Sequence, residues 1–255
     1  MLLGDAETET SPPYEPDNRA VDANGSTLSD PTGKTYTRDF ENRLTQVVNP
    51  GVGTTTFSYD PFGRRIQKSG PLGTTNFLYD GANLLEEVDN GGNLLARYTQ
   101  SGLIDETISE VRSGTTSYYQ ADDLSSITSL SNSSGALSNT YTYDSFGNLT
   151  ASSGSTANPF RFTGREFDSE TGLYFYRARN FAPNVGHFIS QDPIRFGGGV
   201  DFYVYVGNNP LTRIDPSGTD PYDWYSKSRK WGKKSSCIIS FIACGCASCP
   251  PGEWF

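Results

Sequence analysis

Short stretches of alternating hydrophobic and polar residues run through the first 150 or so positions of the chain and predict β-strands. Aromatic residues occupy every second position in Phe57-Ser58-Tyr59 and in Tyr141-Thr142-Tyr143, which places them on one face of a strand. Each stretch continues into Asp and, three residues later, Gly. Asp can cap its own backbone in a tight turn, and Gly takes the positive φ that the turn needs. The pattern therefore predicts β-hairpins rather than helices.

The predicted hairpin recurs along the chain. Separations of 20, 19 and 21 residues join the successive tyrosines Tyr59, Tyr79, Tyr98 and Tyr119. A fixed period of about 20 residues indicates a repeat architecture. Because a lone two-stranded hairpin is only marginally stable, neighbouring hairpins must pair into one sheet. The predicted fold class is all-β, with a curved sheet of repeated β-hairpins followed by a loop-rich segment. We expect the tyrosines to pack the sheet without chemistry of their own.

Composition divides the chain into four parts. Residues 1–33 are rich in Pro, Asp, Glu, Ser and Thr, which predicts a disordered or incomplete N-terminal segment. Residues 34–155 hold the hairpin array, and residues 156–218 form the loop-rich segment, here called the core segment. Residues 219–255 form a tail that differs from the rest in composition, since all four cysteines lie in it.

Two groups of motifs resemble a known family. The repeated motif Tyr-Asp-x-x-Gly-Arg/Asn resembles the YD repeat of Rhs proteins and related toxin-complex proteins. The core segment resembles the Rhs repeat-associated core domain in motifs such as Gly164-Arg165-Glu166, Gly172-Leu173-Tyr174 and Tyr203-Val204-Tyr205. The resemblance implies the C-terminal portion of a bacterial Rhs polymorphic-toxin-type protein. Its YD repeats would form part of a β-shell, and the segment after the core would vary freely.

The same resemblance implies a self-cleavage site on two Asp-Pro motifs that lie 23 residues apart, Asp192-Pro193 and Asp215-Pro216. Asp192 and Asp215 would be the catalytic pair of an aspartic autoprotease that cuts near Gly218–Thr219, after Gly218 or, as the favoured bond, after Thr219. Two close carboxylates cannot both ionise cheaply, so one can act as base while the other keeps its proton. A structural interpretation stays open, in which both aspartates only cap turns, because Arg195 stands where the first motif would have Gly.

Charge restricts the partners of the array. Residues 1–160 carry 20 acidic and 9 basic residues, so this part should repel nucleic acid, whose binding needs clustered basic groups. A basic cluster in the tail could act only locally: Lys227, Arg229, Lys230, Lys233 and Lys234. In the core segment, we expect an ion-pair network between arginines and nearby carboxylates: Arg161, Arg165, Arg177 and Arg179 with Glu166, Asp168 and Glu170. The only histidine, His187, is interpreted as a surface or packing residue.

The tail offers a weak candidate for a metal site. Its four cysteines, Cys237, Cys244, Cys246 and Cys249, could bind zinc or form two disulfides, but their spacing does not match a standard zinc site. We favour incidental cysteines and expect no cofactor. A tail of 37 residues (219–255) is also short for an enzyme, which needs a rigid scaffold. No signal peptide is visible, and no apolar stretch reaches the length of a membrane helix.

Three functions remain open. The first is a toxin-delivery component with at most an intramolecular aspartic autoprotease activity. Its partners would be its own tail as cargo, a cognate immunity protein and, within a longer protein, secretion machinery. It would be secreted or associated with the cell envelope. The second is a non-catalytic envelope-associated or binding repeat protein, and the third is a truncated remnant.

Overall fold

The computed structural model describes residues 19–219, and these are almost entirely β-structure. Fourteen strands form one antiparallel sheet in which each strand pairs with the next, and four later strands form a second sheet. The first sheet contains β1 Ala20–Val21, β2 Thr27–Ser29, β3 Thr35–Arg38, β4 Leu44–Asn49, β5 Gly53–Tyr59, β6 Arg65–Gly70, β7 Gly73–Asp80, β8 Asn83–Val88, β9 Leu94–Gln100, β10 Thr107–Arg112, β11 Thr115–Ala121, β12 Ile127–Ser131, β13 Leu137–Tyr143 and β14 Leu149–Ser153. The second contains β15 Glu166–Asp168, β16 Leu173–Tyr176, β17 Arg179–Ala182 and β18 His187–Phe188. The predicted all-β fold is confirmed.

Helical structure in the described residues is limited to short 3₁₀ turns at Phe162–Gly164, Arg195–Gly198 and Val206–Asn208. Between residues 19 and 219, none of these turns is long and apolar enough to cross a membrane.

The sheet begins earlier than the sequence pattern indicated. Residues 1–33 were expected to lie outside the array, but β1 and β2 belong to the sheet, with Val21 paired to Thr27. The turn between them explains this placement, because Asp22 Oδ1 accepts hydrogen bonds from the backbone N–H groups of Asn24 and Ser26, each at 2.9 Å. The prediction for residues 1–33 is therefore wrong from residue 20 onward; residues 1–18 lie outside the described part of the chain.

One kind of turn recurs through the array, and the turn after β5 is typical. The carbonyl of Asp60 accepts the N–H of Gly63 at 3.0 Å, and Asp60 Oδ1 accepts the N–H groups of Phe62 and Arg64 at 2.9 Å each. Gly63 takes a φ of +79°, as the Asp-to-Gly spacing predicts. The same backbone caps are made by Asp22, Asp30, Asp39, Asp89, Asp122, Asn132 and Asp144.

The repeat tyrosines join neighbouring hairpins. Their hydroxyl groups donate to backbone carbonyls of the preceding hairpin: Tyr59 to Leu44 at 2.8 Å, Tyr79 to Arg65 at 3.0 Å and Tyr143 to Ile127 at 2.9 Å. Each accepting residue begins a strand where the pairing register shifts. The tyrosines were expected only to pack the sheet. Each of these three also donates a hydrogen bond to a backbone carbonyl beside a bulge.

The sheet curves around the core segment. Tyr36 in β3 packs in the same cluster as Leu173, while Tyr143 in β13 packs in the same cluster as Tyr174. Strands lie about 4.8 Å apart, so ten strand spacings would cover roughly 48 Å in a flat sheet. Leu173 and Tyr174 are adjacent residues in β16, so the two ends of the sheet must bend towards each other around this strand.

The ion pairs of the core segment reach much farther along the chain than expected. Arg165 does contact Glu166, at 3.3 Å, but its shorter contact is to Asp105 at 2.5 Å. Arg177 also pairs with Asp105, at 2.7 Å. Asp105 is buried in the loop between β9 and β10. The predicted local network is therefore wrong for Arg177, because a curled sheet brings a distant carboxylate closer than the neighbouring ones.

The two remaining carboxylates of the predicted network pair with bases of the array. Asp168 contacts Arg65 at 2.5 Å, and Glu170 contacts Lys68 at 3.1 Å. The guanidinium carbon of Arg161 lies 4.6 Å from the centroid of the Phe167 ring, within the core segment. These contacts tie β6 to the core segment, so the array and the core segment share one set of buried charges.

Close docking of a turn on the core segment gives a first testable prediction. Gly147 has a φ of +86°, and a Cβ there would lie 2.6 Å from ring atoms of Phe162. Gly63 holds the same turn position with a φ of +79° and nothing within 4 Å. An alanine at either site pays about 1–2 kcal/mol for positive φ, and overpacking adds about 1–3 kcal/mol. We expect urea unfolding to show Gly147→Ala destabilised more than the matched control Gly63→Ala. If both variants lose the same free energy of unfolding, the close contact between Gly147 and Phe162 is contradicted.

Candidate functional site

Asp192 and Asp215 each open a tight turn of the kind found in the array. The carbonyl of Asp192 accepts the N–H of Arg195 at 3.0 Å, and its Oδ1 accepts the N–H of Ile194 at 2.9 Å. Asp215 Oδ1 accepts the N–H of Gly218 at 2.9 Å. Arg195 takes a φ of +51°, the left-handed region that Gly218 also occupies at +73°. The first turn therefore forms although arginine replaces glycine in it.

A single guanidinium joins the two aspartates. Arg179 Nη2 lies 3.1 Å from Asp192 Oδ2 and 3.2 Å from Asp215 Oδ2. All three residues are at most 3% exposed. One positive charge is thus shared between two buried carboxylates.

The bond between Gly218 and Thr219 is held at both of its ends. Arg179 Nε donates a hydrogen bond to the carbonyl oxygen of Gly218, which is the carbonyl of that peptide bond. Asp215 Oδ1 accepts the N–H of Thr219 at 3.1 Å, which is the nitrogen of the same bond. Ser217 Oγ also donates to Asp215 Oδ1, at 3.1 Å. The carbonyl thus faces a cation, and the nitrogen faces a carboxylate.

The turn between β16 and β17 fixes the position of this peptide. Ala178 donates its N–H to the carbonyl of Ser217 at 3.2 Å, and Arg177 Nη1 donates to the carbonyl of Pro216. A Cβ at Gly218 would lie 2.1 Å from the carbonyl oxygen of Tyr176. Only glycine permits this close backbone approach, so the sequence at position 218 sets where the bond lies.

Burial and ring stacking hold Arg179 in place. Its guanidinium carbon lies 3.6 Å from the centroid of the Phe188 ring, and Nη1 donates to the carbonyl of Phe202 at 3.1 Å. Burial lowers the pKa of the Arg179 guanidinium from its ordinary value. On the other side of the site, a Cβ at Gly198 would lie 2.6 Å from Asp192 Oδ2, so the 3₁₀ turn packs directly on this carboxylate.

The structure brings together both predicted aspartates and the bond after Gly218, one of the two that were predicted, and it adds Arg179. The bond after Thr219, which the sequence analysis favoured, reaches residue 220, outside the described part of the chain. Sequence reasoning assigned Arg179 to the local ion-pair network, with Glu166, Asp168 or Glu170 as partners, and that assignment is wrong. The general rule that buried carboxylates need a cation is the signal that could have indicated an arginine of the core segment. It could not select Arg179, because the selection depends on how β17 pairs with its neighbours.

Among the other predicted candidates, only His187 lies in the described part of the chain. His187 is half-buried in β18 and forms a backbone bridge with Val204. The four cysteines and the basic cluster of the tail lie outside the described residues. Within residues 19–219, no group of three or more His, Cys, Asp or Glu side chains could hold a metal ion.

Arg179 gives a second testable prediction. Arg179→Lys keeps the positive charge but cannot contact two carboxylates and a carbonyl with one planar group. If the Gly218–Thr219 bond is hydrolysed here, we expect this variant to cut about 10²–10³ times more slowly, the usual cost of one lost donor to an oxyanion. The appearance of cut chain over time, followed by intact mass, measures the rate. Unfolding in urea checks that the fold persists, and a rate equal to that of the wild type would exclude a role for Arg179.

Comparison with known proteins finds a family model and several relatives that match most of this chain. The family model described as the teneurin YD-shell matches residues 19–210. The tRNA3(Ser)-specific nuclease WapA of Bacillus spizizenii is 36% identical over 211 residues, which cover 78% of this chain and 9% of that protein. Double-stranded DNA deaminase toxin A of Burkholderia cenocepacia is 30% identical over 218 residues, covering 72% of this chain and 15% of that protein.

Solved structures share the fold. A crystal structure of TcdB2-TccC3-Cdc42 superposes with a TM-score of 0.66 at 21% identity, over 80% of this chain and 11% of that one. The chain thus spans only about a tenth of the length of these proteins. The similarity extends through both the hairpin array and most of the core segment.

Proposed function

This chain belongs to the teneurin YD-shell family of Rhs/YD-repeat proteins, and from that premise we propose that it is the wall section and core segment of a toxin-type β-shell that cuts its own polypeptide next to Gly218. The cut would free the tail that follows. One observation carries the proposal: Arg179 contacts both Asp192 and Asp215 and also the carbonyl of the Gly218–Thr219 bond.

In the proposed reaction, Asp215 is the ionised member of the pair. Its carboxylate accepts the N–H groups of Gly218 and Thr219, the hydroxyl of Ser217 and a guanidinium contact, and donors of this kind stabilise the charged form. Asp192 is the protonated member in this proposal, because two close carboxylates do not both ionise cheaply. Asp215 takes a proton from a water molecule, and the water oxygen forms a bond to the carbonyl carbon of Gly218.

Negative charge then develops on the Gly218 carbonyl oxygen, where Arg179 Nε already donates. The bond between this carbon and the Thr219 nitrogen breaks. The proton that Asp215 took from water passes to that nitrogen, which lies 3.1 Å from its Oδ1. The immediate products are a carboxylic acid at Gly218 and an amine at Thr219, and the pair returns to its starting protonation. The proton of the acid then passes to the amine, which leaves a carboxylate and an ammonium group. Because these contacts are made to the bond after Gly218, the proposal takes that bond rather than the bond after Thr219, the one favoured from the sequence.

The tail is the proposed cargo. Similar proteins bear the names tRNA3(Ser)-specific nuclease and double-stranded DNA deaminase toxin, so the proposed whole protein delivers a toxic activity. A cognate immunity protein and secretion machinery would be its partners. We propose a secreted or envelope-associated location for it.

A purely structural role is the second candidate, and one observation favours it. Asp60 in the array caps the N–H groups of the second and fourth residues after it. Asp192 makes the first of these caps, and Asp215 makes the second. Under this alternative the two turns only dock the core segment on the sheet.

The two candidates differ in whether the chain is cut. If the proposed cleavage occurs, the full chain, expressed with a different tag at each end, should separate into two pieces. The fraction cut at a given time should not depend on protein concentration, because the reaction is intramolecular. Asp201→Asn is the matched control for asparagine variants of Asp192 and Asp215, and it should be cut like the wild-type chain. Asp201 is an exposed turn-capping aspartate of the same segment. A chain that keeps both tags would support the structural role and contradict the proposed cleavage.

A further inference from the structure

A cavity of about 710 Å³ opens beside the proposed bond, and neither the fold nor the cleavage chemistry uses it. Pro193 and Ser217, one from each Asp-Pro turn, line one side. The ring of Phe175 and the side chains of Arg165 and Arg177 line the part that belongs to the core segment. The cavity therefore begins two residues before Thr219, where the described chain ends.

The opposite wall comes from three neighbouring hairpin turns of the array. They contribute residues 41 and 43, residues 62–64 and residues 81–82. Elsewhere the turns dock directly on the core segment: a Cβ at Gly164 would lie 2.4 Å from the carbonyl of Asp105, and Gly147 lies against Phe162. The three turns at the cavity stand apart from the core segment, and the ring of Phe62 is 85% exposed there.

We infer that this cavity is a docking site for the first residues of the tail, Asp220-Pro221-Tyr222-Asp223-Trp224-Tyr225. Distance permits it, because each extended residue adds about 3.3–3.6 Å and six residues reach roughly 20 Å. The size also fits, since clefts that accommodate bound groups usually measure about 300–1,000 Å³. In the proposed cleavage this segment lies on the amine side of the cut bond; that description rests on the proposed function, but the docking does not.

The chemistry of the cavity matches that segment. Four arginines line the space together with two glutamates, Glu41 and Glu166, and each of the arginines also contacts an aspartate of the array. Arg64 also lies over the rings of Phe62 and Tyr79, at 5.6 and 5.7 Å. Residues 220–225 combine two acids with three aromatic side chains. Arginine pairs with carboxylates and stacks on aromatic faces, so the segment supplies both kinds of group that the wall can bind.

Tryptophan fluorescence can test the docking because all three tryptophans lie in the tail. Trp231→Phe and Trp254→Phe leave Trp224 as the only reporter. Adding Asp192→Asn keeps the tail attached whether or not the wild-type chain cuts itself. We expect acrylamide to quench Trp224 several-fold less efficiently in the folded chain than in urea. Phe62→Asp, at an exposed position of the wall, should raise quenching to nearly the level found in urea.

Matched variants make the result specific. Phe40→Asp changes an exposed phenylalanine of the preceding turn, which is 94% exposed and does not line the cavity, and it should leave quenching unchanged. Ala82→Asp places a negative charge on the wall and should raise quenching as Phe62→Asp does. The inference is overturned if Trp224 is quenched equally in folded and unfolded chain, if Phe62→Asp has no effect, or if shielding appears only at high protein concentration, which would indicate contact between copies. Whether the wild-type chain is found cut or intact tests only the proposed cleavage and not the docking.

Discussion

Asp192→Asn and Asp215→Asn should each leave the chain in one piece under conditions in which the wild-type chain is cut. Both aspartates contact the same nitrogen of Arg179, so the proposed chemistry needs both carboxylates in one unit. An amide cannot take a proton from water, and it cannot share one with a neighbouring carboxylate. General acid–base catalysis contributes about 10²–10⁴-fold to a rate, and a lost member of a cooperating pair removes most of that factor.

The asparagine variants isolate chemistry from structure. An asparagine Oδ1 can still accept the N–H of Gly218 and of Thr219, as Asp215 Oδ1 does, so the turn should persist. Only the second carboxylate oxygen, the one that faces Arg179, is replaced by a donor. Intact mass over time gives the rate, and urea unfolding gives the stability. If either variant is cut at the wild-type rate, the aspartate that it replaces is not catalytic.

Arg65→Met should destabilise the fold by about 3–5 kcal/mol, the usual cost of removing one partner of a buried ion pair. Arg65 is 2% exposed and contacts Asp168 at 2.5 Å. Its guanidinium carbon lies 4.3 Å from the ring centroid of Phe175. Burial alone would lower the pKa of Arg65, but the charges of Asp168 and Glu166 raise it above its ordinary value. The guanidinium is therefore charged at neutral pH.

Two companion variants test this explanation. Arg97→Met removes an exposed pair with Glu86, in which the arginine side chain is 62% exposed, and should cost at most about 1 kcal/mol. Arg65→Met combined with Asp168→Leu removes both buried charges, so it should recover part of the loss. Urea unfolding measures all three. A loss for Arg65→Met no larger than for Arg97→Met would show that the buried pair does not hold the array to the core segment.

The hairpin array was predictable because the sequence of each unit determines its own strands and turn. Alternation in Phe57-Ser58-Tyr59 sets the strand faces, and Asp60 with Gly63 sets the turn, so the fold follows from local patterns repeated at a constant period. The start of the array was missed because β1 and β2 carry no aromatic residue, although Asp22 and Gly25 already formed the turn motif. A turn motif thus marks these hairpins better than strand composition does.

The candidate site was only half predictable. Asp192 and Asp215 were identified through a family resemblance, and the structure does bring them together. Arg179 could not be assigned its partners, because it contacts both Asp192 and Asp215, and the second lies 36 residues away along the chain. Arg165 lies 60 residues from Asp105. The first set of contacts depends on how β17 pairs with its neighbours and the second on how the sheet curves around the core segment, and no local pattern encodes either.

The most direct test of the account is where the cut falls and which atom enters there. The wild-type chain, allowed to cut itself in water enriched in oxygen-18, should give one piece that ends at Gly218 and one that begins at Thr219. The new carboxylate of Gly218 should carry one heavy oxygen atom, because water attacks the carbonyl directly. A chain that stays whole, a cut at another bond, or a new carboxylate without heavy oxygen would contradict hydrolysis by Asp192, Asp215 and Arg179.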